Sequence, residues 1–491
     1  MKLHNLLNSI KIEGLPPEDR EITGLCLDSR KVLPGSLFFA LQGLKSDGAT
    51  FAKEAISRGA VAVVADTDLS LEVPVLRVTN SREAMAKMAA AFYGNPSQAL
   101  RVFGITGTNG KTTSAFIVKH LCDYSHIPCG LIGTIRYMIG SETLPAPRTT
   151  PESIEIQELL GAMRDQGCRA VSMEVSSHAL MQHRVSGMEF DAAVFTNLSQ
   201  DHLDYHQTME NYFEAKAGLF EQLGQQKNKP GKAIINADDR YGQFLITRYG
   251  GRLPIITFGQ GVLSDFRAGN IRTTTTGTTF QLDAKQKSFL VKLPLIGSFN
   301  VYNALAALAA VTSAGVDIHG AIQALDKIPQ VPGRLERVLT SRAFQAYVDY
   351  AHTPDALENA LKTLRLLNPR RIITVFGCGG DRDRGKRPLM GRVADQLSDW
   401  CVVTSDNPRT EDPEAIIKGI TEGMSGSKHE ILMDRKEAIR NAVGMASRGD
   451  IVLVAGKGHE TYQEFANETI PFNDVAITRS AIEDKPMEVM P

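Results

Sequence analysis

Short apolar runs alternate with longer amphipathic stretches along almost the whole chain, and each spacing predicts a strand or a helix. Residues 36–41, 60–65 and 73–78 read as strands, and 81–93 as a helix. That helix ends at Gly94-Asn95-Pro96-Ser97, turn-forming residues suited to a boundary. Beyond it, strands at 102–105, 130–132, 170–174, 192–196 and 233–236 alternate with helices. One of these helices, 112–122, carries Ala115, Ile117, Val118 and Leu121 at helical spacing. A Thr-rich, strand-like alternation at 265–295 interrupts the order, and an alanine-rich helix follows at 304–314. From Val331-Pro332-Gly333-Arg334 the alternation resumes, with strands at 346–350, 372–377, 400–405 and 451–455 and a helix at 355–367. Such alternation calls for mostly parallel sheets covered by helices on both faces. The chain is therefore expected to be an α/β protein of three domains: a smaller N-terminal α/β domain over 1–98, a central phosphate-loop domain with a parallel sheet over 99–333, and a C-terminal Rossmann-like α/β domain over 334–491.

Bulk properties narrow the class. At 491 residues the chain is too long for one core. A net charge of -1 provides no basic field for nucleic acid, and the longest apolar helix is too short and broken for a membrane span. Met1-Lys2-Leu3-His4-Asn5 lacks the apolar run of a signal peptide, which points to the cytoplasm. The six cysteines are scattered without a Cys-x-x-Cys pair, so reduced, mostly buried thiols are expected and a zinc site is not. Cys378, in a glycine-rich loop, reads as a small packing residue.

The sharpest chemical signal is Gly107-Thr108-Asn109-Gly110-Lys111-Thr112-Thr113, between the 102–105 strand and the 112–122 helix. A strand, a glycine turn and a helix start leave free backbone N–H groups and a helix dipole facing an anion, as a nucleoside triphosphate requires. Lys111 would reach the terminal phosphates, and the Thr112 hydroxyl would hold magnesium. The strict phosphate-loop pattern wants glycine where Ile105 stands, so this is a variant that keeps the mechanism. Glu174 ends one strand, and Asn197 and His202 follow another; strand ends are where open α/β sheets bind ligands, so these could gather around one or two magnesium ions.

Other candidates are less specific. Lys216, in the amphipathic stretch 212–220, reads by spacing alone as a surface lysine. Asn300 and Asn303, near the start of the alanine-rich helix, suit helix capping and ligand binding equally. Asp349 could accept from ribose hydroxyls. In the third segment, loops at 377–388, 405–409 and 455–460 each follow a strand and together carry arginines and acids, a set suited to an amino acid with several charged ends.

Together these motifs resemble the Mur ligase family, ATP-dependent enzymes that build the peptide stem of bacterial peptidoglycan. The carriers are residues 107–113, Glu174-Val175-Ser176-Ser177-His178, Lys216, Asn300-x-x-Asn303 and Asp406-Asn407-Pro408-Arg409, and the resemblance spans essentially the whole chain. It implies ATP and Mg2+ as cofactors, with Gly107, Thr108, Asn109, Gly110, Lys111, Thr112, Thr113, Asn300, Arg334 and Asp349 binding ATP. Lys111, Lys216, His202 and Glu174 would be catalytic; Thr112, Glu174, His202 and Lys216 as a carbamate would hold the metal. Leu27, Ser29, Leu44, Lys45, Ser46, Thr149, Thr150, Ser176, Gln182 and Arg184 would contact UDP-N-acetylmuramoyl-L-alanyl-D-glutamate. Leu44-Lys45-Ser46 departs from a more polar triplet. Arg382, Asp406, Asn407, Pro408, Arg409, Gly456 and Glu460 would hold meso-diaminopimelate. Arg409 favours that amino acid over L-lysine, whose side chain has no second carboxylate for a guanidinium to pair with. The implied reaction is amide formation through an acyl phosphate, by a monomer; an L-lysine-adding homologue or another amide ligase of the family is the alternative.

Overall fold

The protein is described by a computed structural model covering residues 1–14, 16–43 and 47–486. In the first unit, strands Gly24–Cys26, Ser36–Phe39, Ala60–Ala65 and Val75–Arg77 pair in that order, all parallel. Successive side chains of a strand point to opposite faces. Leu37, Phe39, Ala62 and Val64 accordingly pack with Leu6, Met85 and Met88, while Phe38, Val63 and Ala65 pack with Ala52 and Ala55. Both faces are covered, which is why these runs are apolar throughout rather than alternating. The three-residue strand Gly24–Cys26 was too short to leave a periodic signal.

The central unit is built on eleven strands. From Phe266–Thr274 through Ile255–Gly259, Lys232–Asn236, Ala192–Phe195, Arg101–Thr106, Ala170–Glu174 and Cys129–Ile132 the pairing is parallel. Antiparallel strands extend both edges: Gly277–Ala284 and Lys287–Leu293 at one, Arg136–Ile139 and Glu142–Pro145 at the other. Phe103, Ile105, Val194 and Ile234 face the helices Lys111–Tyr124 and Ser298–Ser313. Val102, Met173, Ala193 and Phe195 face the helices Ser153–Asp165 and Met209–Gln225. The helix Ser298–Ser313 is buried almost all round, and its run of alanines permits that close packing. Arg101–Thr106 sits between Ala192–Phe195 and Ala170–Glu174, with Thr106 opposite Phe195 and Ile105 opposite Glu174. The glycine loop is thus flanked by two other strand ends.

The third sheet runs Glu336–Val338, Gln345–Asp349, Ile451–Ala455, Ile372–Phe376, Trp400–Val403 and His429–Ile431, with only the first strand antiparallel. Its parallel strands end at one edge, where the loops carrying Asp349, Asp406 and Gly456 emerge. A hairpin of Tyr462–Glu464 and Thr469–Pro471 closes over that edge. Among the described residues no helix is long and apolar enough to cross a membrane.

Candidate active site

The glycine loop is dictated by clearance. Gly107 (φ 146°) and Gly110 (φ 86°) adopt backbone conformations that side chains rarely reach. A Cβ on Gly107 would lie 1.9 Å from Thr196 Oγ1, and one on Gly110 2.3 Å from Asn303 Oδ1. Ile105, at the position where a strict motif has glycine, is still inside the strand and wholly buried. Gly110 begins the helix Lys111–Tyr124 without a side-chain cap, leaving its first N–H groups open. Lys111 Nζ folds back onto the carbonyls of Gly107 (3.0 Å) and Thr108 (2.8 Å). Burial holds its ammonium below the ordinary value, against the pull of Glu174.

Glu174 is fixed by three donors. Thr112 Oγ1 donates to Oε2 (2.9 Å), Thr134 N to Oε1 (2.8 Å) and Thr134 Oγ1 to Oε2 (3.0 Å). Lys216 overturns the surface reading: it is 1% exposed, and its Nζ donates to the Gly107 carbonyl at 2.8 Å. The Tyr212 ring centroid lies 4.5 Å from the same nitrogen. Burial, and then the charge of Lys111, push the Lys216 amine well below the ordinary lysine value. The sequence did carry a signal, because Lys216 falls in the apolar stripe of Tyr212, Leu219, Phe220 and Leu223. His202 adopts a left-handed backbone (φ 53°), with its ring 5.1 Å from that of His178 and its Nε2 3.4 Å from Asp201 Oδ2. Burial lowers its pKa to about 4, so the imidazole is neutral at pH 7.

Asn197 departs from the metal-site expectation. Its Oδ1 accepts from Asn109 N (2.9 Å) and its Nδ2 donates to Asn109 O (3.1 Å), so it braces the back of the glycine loop. Among the described residues no group of three or more His, Cys, Asp or Glu is arranged to hold a metal ion by itself.

Beside the loop lies a cavity of about 310 Å³, lined by Asn109, Gly110 and Thr113 on one side, Phe258, Phe299, Tyr302 and Asn303 on another, and Arg334, Asp349 and Asn359 from the third unit. Asn303 meets this space. Asn300 stands behind it, donating to Ile296 O (2.9 Å) and accepting from Asn303 Nδ2 (3.0 Å); neither is the helix cap, which is Gly297. Arg334 Nη2 donates to Thr112 Oγ1 (3.1 Å) while its guanidinium covers the Tyr350 ring, and Asn109 Nδ2 donates to Asp355 (2.9 Å). The two sheets therefore meet across the nucleotide loop. Asp349 accepts from Leu335 N (2.6 Å), and burial pushes its carboxyl up to about 6.

A second cluster adjoins Glu174. Thr149 Oγ1 lies 3.0 Å from Thr134 Oγ1, and Thr150 Oγ1 donates to Glu174 O (2.8 Å) and accepts from Ser176 N (3.1 Å). Arg184 donates to Thr150 O (2.8 Å) and Gln182 Oε1 (2.7 Å), and pairs with Glu152 at 2.8 Å. In the first unit Ser29 is buried and donates to Glu54 (2.7 Å), whereas Leu27 is exposed. Leu44, Lys45 and Ser46 lie outside the described residues.

The three loops of the third unit do converge. Asn407 Nδ2 donates to Glu460 Oε2 (2.9 Å), and Arg409, at φ 53°, donates from Nη1 to Gly380 O (2.8 Å) and from Nε to Glu464 (2.9 Å). Gly379 lies against both Arg409 and Arg382, and Arg382 otherwise reaches outward. A Cβ on Gly456 (φ 117°) would come 2.6 Å from Asp406 Oδ2, so glycine lets the loops close on each other. Pro408 lies in the same turn, its carbonyl 1.9 Å from where a Cβ on Gly380 would stand. Sequence reasoning missed Lys457, which is fully buried and donates to Asn407 Oδ1 and Glu460 Oε2, both at 2.8 Å. Its place between two glycines at a strand end was the available clue. Cys378 is a packing residue, 3.6 Å from Met390 Sδ, with its thiol pushed up to about 12 by burial.

A glycine loop at the central strand end, a buried lysine against it and a cavity closed by a second sheet define a phosphate-loop α/β protein whose site lies between its units. Residues 21–93, 105–311 and 333–458 match, in turn, the Mur ligase family catalytic domain, the Mur ligase middle domain and the Mur ligase glutamate ligase domain. Over 469 residues the chain is 49% identical to the UDP-N-acetylmuramoyl-L-alanyl-D-glutamate–2,6-diaminopimelate ligase of Geobacillus kaustophilus, a span of 95% of this chain and 96% of that one. It is 46% identical over 489 residues to the Listeria innocua protein of the same name, covering 99% of each. A solved structure carrying that enzyme name superimposes with a TM-score of 0.70 at 38% identity, over 96% of this chain and 97% of that one. The chain belongs to the Mur ligase family.

Proposed function

We propose that this chain is an ATP-dependent ligase that joins meso-diaminopimelate to the free side-chain carboxylate of D-glutamate in UDP-N-acetylmuramoyl-L-alanyl-D-glutamate, a step in peptidoglycan precursor synthesis. The observation that carries the reading is the convergence of Lys111 and Lys216 on the Gly107 carbonyl, with Glu174 bonded to Thr112 beside them. Residues 107–113 would cradle the phosphates; Asn300 (through Asn303), Arg334 and Asp349 would hold the nucleoside. Leu27, Ser29, Thr149, Thr150, Ser176, Gln182 and Arg184 would grip the nucleotide-sugar peptide. Arg382, residues 406–409, Gly456 and Glu460 would take the amino acid. Domain limits near 98 and 333, action in the cytoplasm and a monomeric state belong to the same reading.

Lys216 would act as a carbamate. Burial pushes its amine well below the ordinary lysine value, which favours the neutral form; a neutral amine has the lone pair that adds to CO2, giving an N-carboxylate and one proton. Thr112, Glu174, His202 and that N-carboxylate form a donor set suited to magnesium, which takes few protein carboxylates and draws its remaining ligands from phosphate and water. Bound there, magnesium would offset charge on the triphosphate.

Lys111 swings from the loop carbonyls to the phosphates and stabilises the transferring group, while the free N–H groups of the helix start hold it in line. The glutamate carboxylate takes the γ-phosphoryl group, giving an acyl phosphate and ADP. The free amine at the other end of the diaminopimelate, whose far end is held by the 406–409 and 456–460 loops, attacks that carbonyl carbon; phosphate leaves, the amine's proton goes to solvent, and the amide remains. No enzyme nucleophile takes part. The test is phosphate release with ATP, magnesium and the nucleotide-sugar dipeptide, comparing meso-diaminopimelate with L-lysine. Release with diaminopimelate alone is expected. Equal release with lysine would remove the specificity, and none with either would remove the ligase reading.

A further inference from the structure

We propose that Arg435, locked by Asp474, is the positioning residue that sets the geometry of the amino-acid pocket, so that the helix opened by Asp474 takes part in substrate recognition. The inference rests on the reading of residues 406–409 and 456–460 as that pocket. Arg435 opens the helix Arg435–Met445 and Asp474 opens the helix Asp474–Asp484. Both side chains are wholly buried, with Nε to Oδ1 at 2.9 Å and Nη2 to Oδ2 at 2.8 Å. The same guanidinium donates to Ala455 O (3.0 Å) and, at 3.4 Å, to Ser405 O.

Those two carbonyls immediately precede Gly456 and Asp406. Ala455 ends one strand and Ser405 lies two residues past another, and these strands do not touch: Ile372–Phe376 lies between Trp400–Val403 and Ile451–Ala455, so no ladder hydrogen bond ties the two ends together. The guanidinium spans that gap and fixes the loops' separation, at a point where Gly456 already allows Asp406 a close approach. Asp474 holds the planar fork in one orientation. A buried ion pair is a poor source of stability, because well-packed apolar residues do as well or better. Its value here is geometric: a planar donor fork serves one carboxylate and two carbonyls at once, which a lysine ammonium does not reproduce.

The test is Arg435→Lys and Asp474→Asn, with KM measured separately for diaminopimelate, ATP and the nucleotide-sugar dipeptide. A misplacement of the loops should raise KM for diaminopimelate about tenfold, with less effect from Asp474→Asn, while KM for ATP changes less than about twofold. A merely structural pair would lower the melting temperature with KM for diaminopimelate unchanged, or shift all three substrates' kinetics together, and either result overturns the proposal. Should the variants fail to fold, hydrogen exchange on the wild-type protein decides. With a non-hydrolysable ATP analogue and the dipeptide present, adding diaminopimelate should protect amides at 406–409, 456–460 and in the first turns after Arg435 and Asp474. Protection of the loops without the helix starts overturns the role of Arg435. No protection at the loops, or an Arg409→Ala variant with unchanged KM for diaminopimelate, overturns the pocket itself.

Discussion

Replacing Arg409 by alanine isolates the choice of amino acid. The side chain is 19% exposed and held by Gly380 O and Glu464, so its guanidinium is already oriented before substrate arrives. Its Nη2 edge is the part left for a substrate carboxylate. A hydrogen-bonded pair between charged groups, partly screened from water, contributes about 2–3 kcal/mol. Arg409→Ala should therefore lower kcat/KM for meso-diaminopimelate by roughly 30- to 150-fold, the kinetic equivalent of that energy. L-Lysine has an ammonium but no carboxylate at that end, so its low rate should hold steady or rise. Glu464, at 41% exposure, is hydrated when its partner is lost, and the melting temperature should shift little. Arg409→Lys keeps the charge but loses the fork, and should fall between the two. Steady-state phosphate release with each amino acid over a concentration series is the assay. A change of less than about threefold for diaminopimelate, or an equal loss with both amino acids, would refute the reasoning.

Gly107→Ala places a methyl group 1.9 Å from Thr196 Oγ1, so it should abolish nucleotide binding measured calorimetrically; retained affinity would show that the loop relaxes. Lys216→Ala should lower amide formation by at least about a hundredfold, and added bicarbonate should not restore it. A near-normal rate would remove the carbamate. Asp349 gives a pH signature. Its folded carboxyl titrates at about 6, above the ordinary 3.8, so stability is full below the unfolded value and declines as pH rises through 6. Urea midpoints should show the wild type losing about 1–1.5 kcal/mol relative to Asp349→Asn between pH 5 and 7, and parallel curves would contradict this.

The chain announces its sheets because both faces of the central parallel strands are covered, which makes runs such as Ala60–Ala65 and Ile451–Ala455 apolar throughout. The glycine loop was legible because Gly107 and Gly110 have no alternative residue. What stayed hidden depends on which element covers another. Nothing in the 212–220 pattern says that the nucleotide loop lies over it, nor that Arg334 and Asp355, far along the chain, close on Thr112 and Asn109. Yet the two hidden cations share a signature. Lys216 sits within the stripe of Tyr212, Leu219, Phe220 and Leu223, and Arg435 heads the stripe of Ala438, Ile439, Ala442 and Val443. A cation at such a position must leave the core, lose its charge or find a buried partner, because an unpaired buried charge is costly. Arg435 found Asp474, whereas Lys216 has backbone carbonyl and ring contacts but, among the described residues, no carboxylate in its hydrogen-bonding shell. The unpaired one of the two is the one proposed above to become an anion, and on this argument a charged residue inside an apolar stripe is where a reading of the sequence should look first.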